Sequence, residues 1–194
     1  MINAERLTIN LGHFRAARIK KLIVSRHSLI IKSLLLALSA NAQNLEMSEQ
    51  IIEKEIIIKA SLEEVWNRWT TNEGIKSFFA QDCEVELQLG GKYEMYFLED
   101  APTGQRGSEG CKVLSFIPYE MFSFSWNAPP QFPSIRNSGT HTYIVLNFEK
   151  IKPRKTKIRL RHLGWQEGKT WDEVFAYFDE AWAKVLTWLA ESFE

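Results

Sequence analysis

The last part of the chain, residues 170–190, has the pattern of one long amphipathic helix. Apolar side chains recur there every three or four residues and form a broad stripe along one side. They are Phe175, Phe178, Trp182, Val185 and Leu189. A helix with such a stripe has to bury it against another layer of secondary structure. The segments that precede it therefore decide the architecture.

Those preceding segments alternate apolar and polar residues, which is typical of strands with one buried face. The clearest is 83–89, where every second residue is apolar. Gly90-Gly91 then predicts a two-residue hairpin turn, because such turns need positive φ angles, and 92–99 is the partner strand. Further strands are predicted at 51–58, 107–117, 121–127, 141–150 and 156–164, with a long loop at 128–139.

Two short helices are predicted between the first strand and this region. Ser61 and Glu64 match a capping box, in which each side chain bonds the backbone N–H of the other. A second short helix is predicted at 73–79. The order of strand, two short helices, six strands and long helix predicts an α+β fold. A curved antiparallel sheet wraps around the C-terminal helix, and we expect a function to lie in the space between them.

The alternation of side chains along each strand predicts which residues face that space. The candidate pocket residues are Phe78, Met95, Phe97, Trp126, Ile144, His162, Trp165, Phe175, Phe178 and Trp182. Each buried aromatic side chain removes roughly 150–250 Å² from water and would hold a core together with no ligand present. A filled interior and an open cavity are therefore both consistent with this set.

His162 is the one titratable residue in the apolar row of its strand. Its imidazole would orient a ligand carbonyl or hydroxyl, or move a proton; the alternative is a buried histidine bonded within the protein. Arg106, Glu109 and Asp179 are expected near the rim. We predict no catalytic residue, because the chain lacks a G-x-S-x-G nucleophile turn. Residues 104–110 also lack the ending of a phosphate-binding loop.

The two cysteines are too few for a disulfide-stabilised scaffold. Cys83 and Cys111 fall on strands separated by the strand at 92–99, which places them about 9.5 Å apart. That distance is too long for a disulfide, so both are predicted to be free thiols. No ligand spacing indicates a metal site, and no metal or cofactor is predicted. The basic run 150–161 is a solvated edge or a docking place for an acidic partner.

The N-terminal part of the chain has the composition of a leader. Residues 1–42 hold seven bases and one acid, and end in a short apolar run followed by Ala40-Asn41-Ala42. This pattern predicts a signal peptide cleaved before Gln43, with translation starting further downstream, near Leu22 or Val24. The alternative is an amphipathic helix or a disordered basic arm.

Cleavage at that point would send the protein to the periplasm or outside the cell, whereas an intact leader would leave it in the cytoplasm. The uncharged stretch at 33–45 is 13 residues long, too short for the roughly 20 residues of a membrane-spanning helix. We therefore predict no membrane span. After a linker at 43–50, a single domain fills 51–194. Residues 43–194 hold 17 bases and 23 acids, which disfavours binding to nucleic acid.

Several short motifs in a fixed order carry a family resemblance. They are Ala60–Trp66 (ASLEEVW), Leu89–Tyr93 (LGGKY), Gly110–Val113 (GCKV) with Pro118, Phe124–Trp126 (FSW), His162–Trp165 (HLGW) and Trp182. Residues 50–192 thereby resemble the SRPBCC superfamily, whose helix-grip fold is shared by START lipid-transfer domains and the birch-pollen allergen. Within it, the similarity is to the branch of the C-terminal domain of the activator of the heat-shock protein 90 ATPase.

The resemblance implies a domain with a cavity between its sheet and its C-terminal helix. It leaves three functions open. The leading expectation is non-catalytic binding of a small hydrophobic or aromatic ligand in a cavity between the sheet and the C-terminal helix. The second is a protein-interaction module like the co-chaperone domain. The third is a polyketide cyclase-like or hydrolase-like enzyme that uses His162 as acid or base. Since one fold hosts many functions, the site has to decide among them.

Overall fold

In the computed structural model, which describes residues 49–194, the chain forms seven strands and four helices. The predicted leader and its cleavage site lie outside the described residues. The strands are β1 (Ile52–Ile58), β2 (Asp82–Val85), β3 (Tyr93–Tyr96), β4 (Val113–Ile117), β5 (Met121–Trp126), β6 (Thr142–Lys152) and β7 (Lys155–Leu163). The helices are α1 (Leu62–Thr70), α2 (Asn72–Lys76), α3 (Pro133–Arg136) and α4 (Lys169–Glu191).

The strands pair into a five-stranded antiparallel sheet and a smaller two-stranded one. The order of the larger sheet is β1-β7-β6-β5-β4, and β2 pairs with β3. An isolated bridge joins Lys92 to Lys112, and the Tyr93 N–H donates to the Cys111 carbonyl at 2.9 Å. The small sheet therefore continues the β4 edge through a few hydrogen bonds, where the sequence predicts one unbroken sheet. The residues before β4 form a loop instead of the predicted strand.

The two-residue hairpin predicted at Gly90-Gly91 is wrong. Val85 pairs with Tyr93, so the connection between β2 and β3 runs from residue 86 to residue 92. The Gly90 N–H donates to the Val113 carbonyl at 2.9 Å, and the Val113 N–H donates to the Gly91 carbonyl at 2.9 Å. A Cβ on Gly91 would lie 2.4 Å from the Glu86 carbonyl oxygen. The glycines thus allow this loop to pack closely on itself and on β4.

The capping box at the start of α1 is confirmed. The Ser61 side chain accepts a hydrogen bond from the Glu64 N–H, and the Glu64 carboxylate accepts one from the Ser61 N–H at 2.8 Å. The second short helix is also present, but it ends at Lys76, before the predicted end at residue 79. Phe78 and Phe79 follow it in a turn, packed against Trp69 of α1.

The long C-terminal helix lies over the inner face of the larger sheet, as predicted. Trp182 of α4 contacts Trp126 of β5 and His162 of β7, with ring centroids 5.5 and 6.0 Å apart. Alternate residues of β5, β6 and β7 are buried on this face: Phe122, Phe124, Ile144, Leu146, Ile158 and Leu160. Val174 is also buried, whereas Phe175 of the predicted stripe is half-buried. The α+β architecture is confirmed.

Candidate functional site

His162 lies under α4 and is completely buried. The Trp182 indole N–H donates to His162 Nδ1 at 2.9 Å. The other ring nitrogen, Nε2, is 2.6 Å from Thr142 Oγ1, and that hydroxyl donates to the Trp126 carbonyl at 3.1 Å. These three contacts join β5, β6, β7 and α4.

The donors in this network fix the state of the imidazole. An indole N–H can only donate, so Nδ1 must accept and Nε2 must carry the hydrogen given to Thr142. Burial lowers the pKa of His162 well below its ordinary value, because the charged form would lose its hydration. Both nitrogens of a neutral ring are therefore used inside the protein. Of the two roles expected for His162, the structure therefore shows the second, a buried histidine that is hydrogen-bonded within the protein.

Five other candidate pocket residues also belong to the packed interior. Met95, Ile144 and Trp165 have no measurable exposure. Phe78 packs against Trp69, and Phe175 packs against Trp165 with ring centroids 5.1 Å apart. The space directly between the sheet and α4 is therefore filled by side chains. The remaining four candidates, Phe97, Trp126, Phe178 and Trp182, line a groove beside the helix.

We call this feature the aromatic groove; Phe97, Trp126, Tyr177 and Phe178 line both of its lobes. It lies between the side of α4 and the segment that follows β3, at the Trp126 end of β5. The first lobe, the apolar lobe, has a volume of about 340 Å³. The second, the polar lobe, has a volume of about 250 Å³. Both open to solvent.

The apolar lobe is walled by aromatic rings in nearly parallel pairs. Phe79 and Trp126 are inclined by 15°, with centroids 5.9 Å apart. Phe178 and Trp182 are inclined by 23°, with centroids 6.4 Å apart. Ala181 also lines this lobe, and its small side chain leaves room above the rings. Such flat, apolar walls suit a flat, apolar guest.

The polar lobe extends from the same aromatic residues towards the loops. Arg106, Asn127 and Gln131 line it, with Pro129 and Pro130. Arg106 thus lies near the rim, as predicted. Asp179 instead pairs with Lys54 of β1 at 2.7 Å and does not line the aromatic groove.

Glu109, also predicted at the rim, is mostly buried and organises the loops around the polar lobe. Its carboxylate accepts hydrogen bonds from the N–H groups of Gly104, Arg106 and Gly107. It also pairs with Arg136 of α3 at 3.2 Å, with side chains only 13 % and 7 % exposed. Arg136 in turn donates to the carbonyls of residues 104, 107 and 128. This Glu109–Arg136 pair fixes the loop before β4 to the loop before β6.

Sequence reasoning missed several residues of the aromatic groove. Tyr177, Ala181, Lys184 and Trp188 form a second row on α4, next to the buried stripe. Their spacing of three or four residues was readable as a helix face. Lys184 and the neighbouring Glu180 make that row look like an ordinary solvent-exposed face. Phe79 also lines the apolar lobe, although its neighbour Phe78 is the one named as a candidate.

Among residues 49–194, no cluster of His, Cys, Asp and Glu side chains is arranged to hold a metal ion. In the same part of the chain, none of the helices combines the length and the apolar character needed to cross a membrane. Cys83 and Cys111 are both buried and free, as predicted.

The comparisons with known proteins agree with this architecture. The family described as "Activator of Hsp90 ATPase homolog 1-like protein" matches residues 59–194. No curated protein sequence matches the chain at a significant level.

Solved structures of low sequence identity share the fold. Protein MLL2253 from Mesorhizobium loti is 15 % identical with a TM-score of 0.58, over 74 % of this chain and 96 % of that one. The Aha1 dimer from Colwellia psychrerythraea is 24 % identical with a TM-score of 0.57, over 75 % of this chain and 96 % of that one.

Protein BH1534 from Bacillus halodurans is 18 % identical with a TM-score of 0.54, over 75 % of this chain and 97 % of that one. These relatives confirm the helix-grip fold predicted from the motifs. The family match covers most of the chain and falls on the domain that contains the aromatic groove. The chain therefore belongs to the family of Activator of Hsp90 ATPase homolog 1-like proteins, a branch of the SRPBCC superfamily.

Proposed function

We propose that the protein binds a small apolar or aromatic ligand in the aromatic groove and does not transform it. The observation that carries this proposal is an open, aromatic-walled groove beside a core that is otherwise filled. Its two lobes share four lining residues and have volumes of about 340 and 250 Å³. Ligand sites typically have volumes of roughly 300–1,000 Å³, so the larger lobe falls within this range and the smaller lobe extends it.

The exposure of the groove residues supports this proposal. Phe97, Tyr177 and Trp188 are 45, 40 and 46 % exposed, whereas nearly all the other aromatic side chains of residues 49–194 are buried or half-buried. Exposed apolar side chains that cluster around a cavity mark a binding surface more often than isolated ones do. A flat ligand would cover these side chains and recover the free energy of removing them from water.

The arrangement offers little support for catalysis. A cyclase-like or hydrolase-like enzyme would use His162 as acid or base, but Trp182 and Thr142 occupy both of its nitrogens. The ionisable side chains that line the groove are Arg106, Tyr177, Glu180 and Lys184. Within the described residues none of them forms the nucleophile–base pair that acyl transfer requires.

A protein-interaction role is the second candidate, and family membership favours it. One of the structural relatives is described as an Aha1 dimer. The basic run 150–161, which could dock an acidic partner, gives the interaction role little support. Lys157 pairs with Glu149 at 2.6 Å, and Arg159 pairs with Glu55 at 2.5 Å. Arg161 donates to Asn147 at 2.6 Å, so these three basic side chains already have partners on their own sheet.

The proposed function is tested by filling the aromatic groove. Ala181→Trp puts an indole into the apolar lobe, whereas Ala183→Trp adds the same group to an exposed position on α4. A library of small aromatic compounds is then screened by thermal shift against the unaltered protein and both variants. We expect compounds that raise the melting temperature of the unaltered protein and of A183W but not of A181W. Equal shifts in both variants would place binding elsewhere.

A further inference from the structure

Arg106 stands at the end of the aromatic groove, in a position fixed by its own backbone. The N–H groups of Phe97 and Leu98 both donate to the Arg106 carbonyl, at 2.8 and 2.9 Å. The side chain is held as well, because its Nε–H donates to the Ala101 carbonyl at 3.1 Å. The Arg106 side chain, which lines the polar lobe, is thus held by a contact within the protein.

The positive charge of Arg106 has no partner among the described residues. No carboxylate in residues 49–194 lies within ion-pair distance of it. An adjacent hollow contains Arg106 together with Asp82, Glu84 and Glu99. Lys76 already pairs with Asp82 at 2.9 Å, and Lys92 pairs with Glu84. This leaves Glu99, an exposed residue, as the one unpaired acid of that hollow.

The other lobe is lined by one charged residue of each sign. Glu180 and Lys184 are four residues apart on α4, a spacing at which opposite charges attract across one helical turn. The charged residues that line the aromatic groove are therefore two cations and one acid, and Arg106 is the charged residue that lines the polar lobe. A guanidinium recognises carboxylates and similar anions through several N–H donors in one plane.

We propose that the ligand is an aromatic anion: a flat ring system with a carboxylate or equivalent acid at one end. Its rings lie in the apolar lobe, against the aromatic side chains that wall it. Its anionic group reaches the polar lobe and bonds Arg106. This inference rests on the proposed function and adds the charge of the ligand and its direction in the groove.

Two fluorescent probes of similar ring structure test the charge requirement. They are 1-anilinonaphthalene-8-sulfonate, which is an anion, and N-phenyl-1-naphthylamine, which is neutral. Dissociation constants for both are measured on the unaltered protein and on Arg106→Met, Arg106→Lys and Lys184→Met. We expect the unaltered protein to prefer the anion. Arg106→Met should weaken anion binding about tenfold, the value of one charge-assisted hydrogen bond, with the neutral probe unaffected.

The two control variants make the result specific to Arg106. R106K keeps the positive charge and should retain most of the preference, while K184M removes a cation from the other lobe and should retain all of it. An unchanged anion preference in R106M, or an equal loss in K184M, overturns the inference. The proposed function would survive that outcome if the neutral probe binds the unaltered protein but not A181W. If A181W leaves the binding of both probes unchanged, both proposals fail.

Discussion

At the scale of single residues, His162 shows how a position can be predicted while its role is not. The alternation of β7 identifies it as an inward-facing histidine in an apolar row. Its role depends on Thr142 and Trp182, each 20 residues away in the sequence. Nothing local to β7 indicates that an indole and a hydroxyl would meet its two nitrogens.

The neutral state of His162 predicts a pH-dependent stability. The folded state holds the pKa of His162 well below its ordinary value, so the unfolded chain takes up a proton first as the pH falls. The contribution of His162 to the free energy of unfolding is therefore fully present above about pH 6.5. Below that pH it decreases by up to about 1.4 kcal/mol per pH unit. Urea unfolding between pH 5 and 8 measures the slope.

Two histidine variants test whether His162 causes the dependence of the free energy of unfolding on pH. His162→Gln should flatten it, whereas His141→Gln, at an exposed residue, should leave it unchanged. Nitrogen NMR of the unaltered protein should also show the Nε2–H tautomer at every pH in this range. A protonated imidazole at pH 6 in the folded protein would contradict this account.

The two cysteines lead to a prediction about reactivity. Burial raises the pKa of Cys83 to about 11 and that of Cys111 to about 12. At pH 8 the reactive thiolate is therefore scarce at both positions. We expect a thiol-specific chromogenic disulfide to label the folded protein slowly, and to label two thiols per chain at once in denaturant. Rapid labelling of the folded protein would show that one cysteine is accessible.

At the scale of elements, the alternation in 83–89 predicts the strand but not its end. Strand β2 stops at Val85 because β3, its partner, begins at Tyr93. Leu87 and Leu89 continue the alternation but are 39 and 72 % exposed. A period of two identifies extended chain, while the length of a strand depends on how far its neighbour runs. That neighbour is set by tertiary contacts that the local sequence does not contain.

The Glu109–Arg136 pair joins two loops, and a single substitution can test how much it contributes to stability. Glu109→Gln keeps the shape of the side chain but leaves the buried Arg136 without its carboxylate. We expect a loss of about 3 kcal/mol in the free energy of unfolding, as for other buried pairs broken on one side. Amide hydrogen exchange should also increase at residues 104–107. Glu99→Gln, at an exposed position nearby, is the control and should change neither; an equally stable E109Q would contradict the assignment.

At the scale of the whole molecule, the order of motifs was enough to predict the helix-grip fold and the family. The position of the aromatic groove was not predictable in the same way. Strand alternation separates the two faces of a sheet, and it predicts an inward direction for Met95, Phe97, Trp126, Ile144 and His162. It cannot say which inward side chains pack tightly and which stand beside a gap, because that depends on the volumes of neighbours from distant segments.

The leader predicts where the mature chain begins. If the protein is exported, sequencing the N-terminus of material from its native host should give Gln43 as the first residue. The expected reason is cleavage after the small residues Ala40-Asn41-Ala42. Recovery of a chain with residues 33–42 intact from the cytosol would contradict export.

One wall of the aromatic groove belongs to the packed interior of the domain, and the other wall is a surface segment. Trp126, Phe178 and Trp182 are locked in the interior, whereas Phe97 and Leu98 start a segment that leaves β3 and returns at Gly107. Exchange of residues 98–103 would therefore change the size and polarity of the opening, while residues 104–107 keep their hydrogen bonds to Glu109. An engineer can therefore reshape the opening through this segment without altering the buried wall.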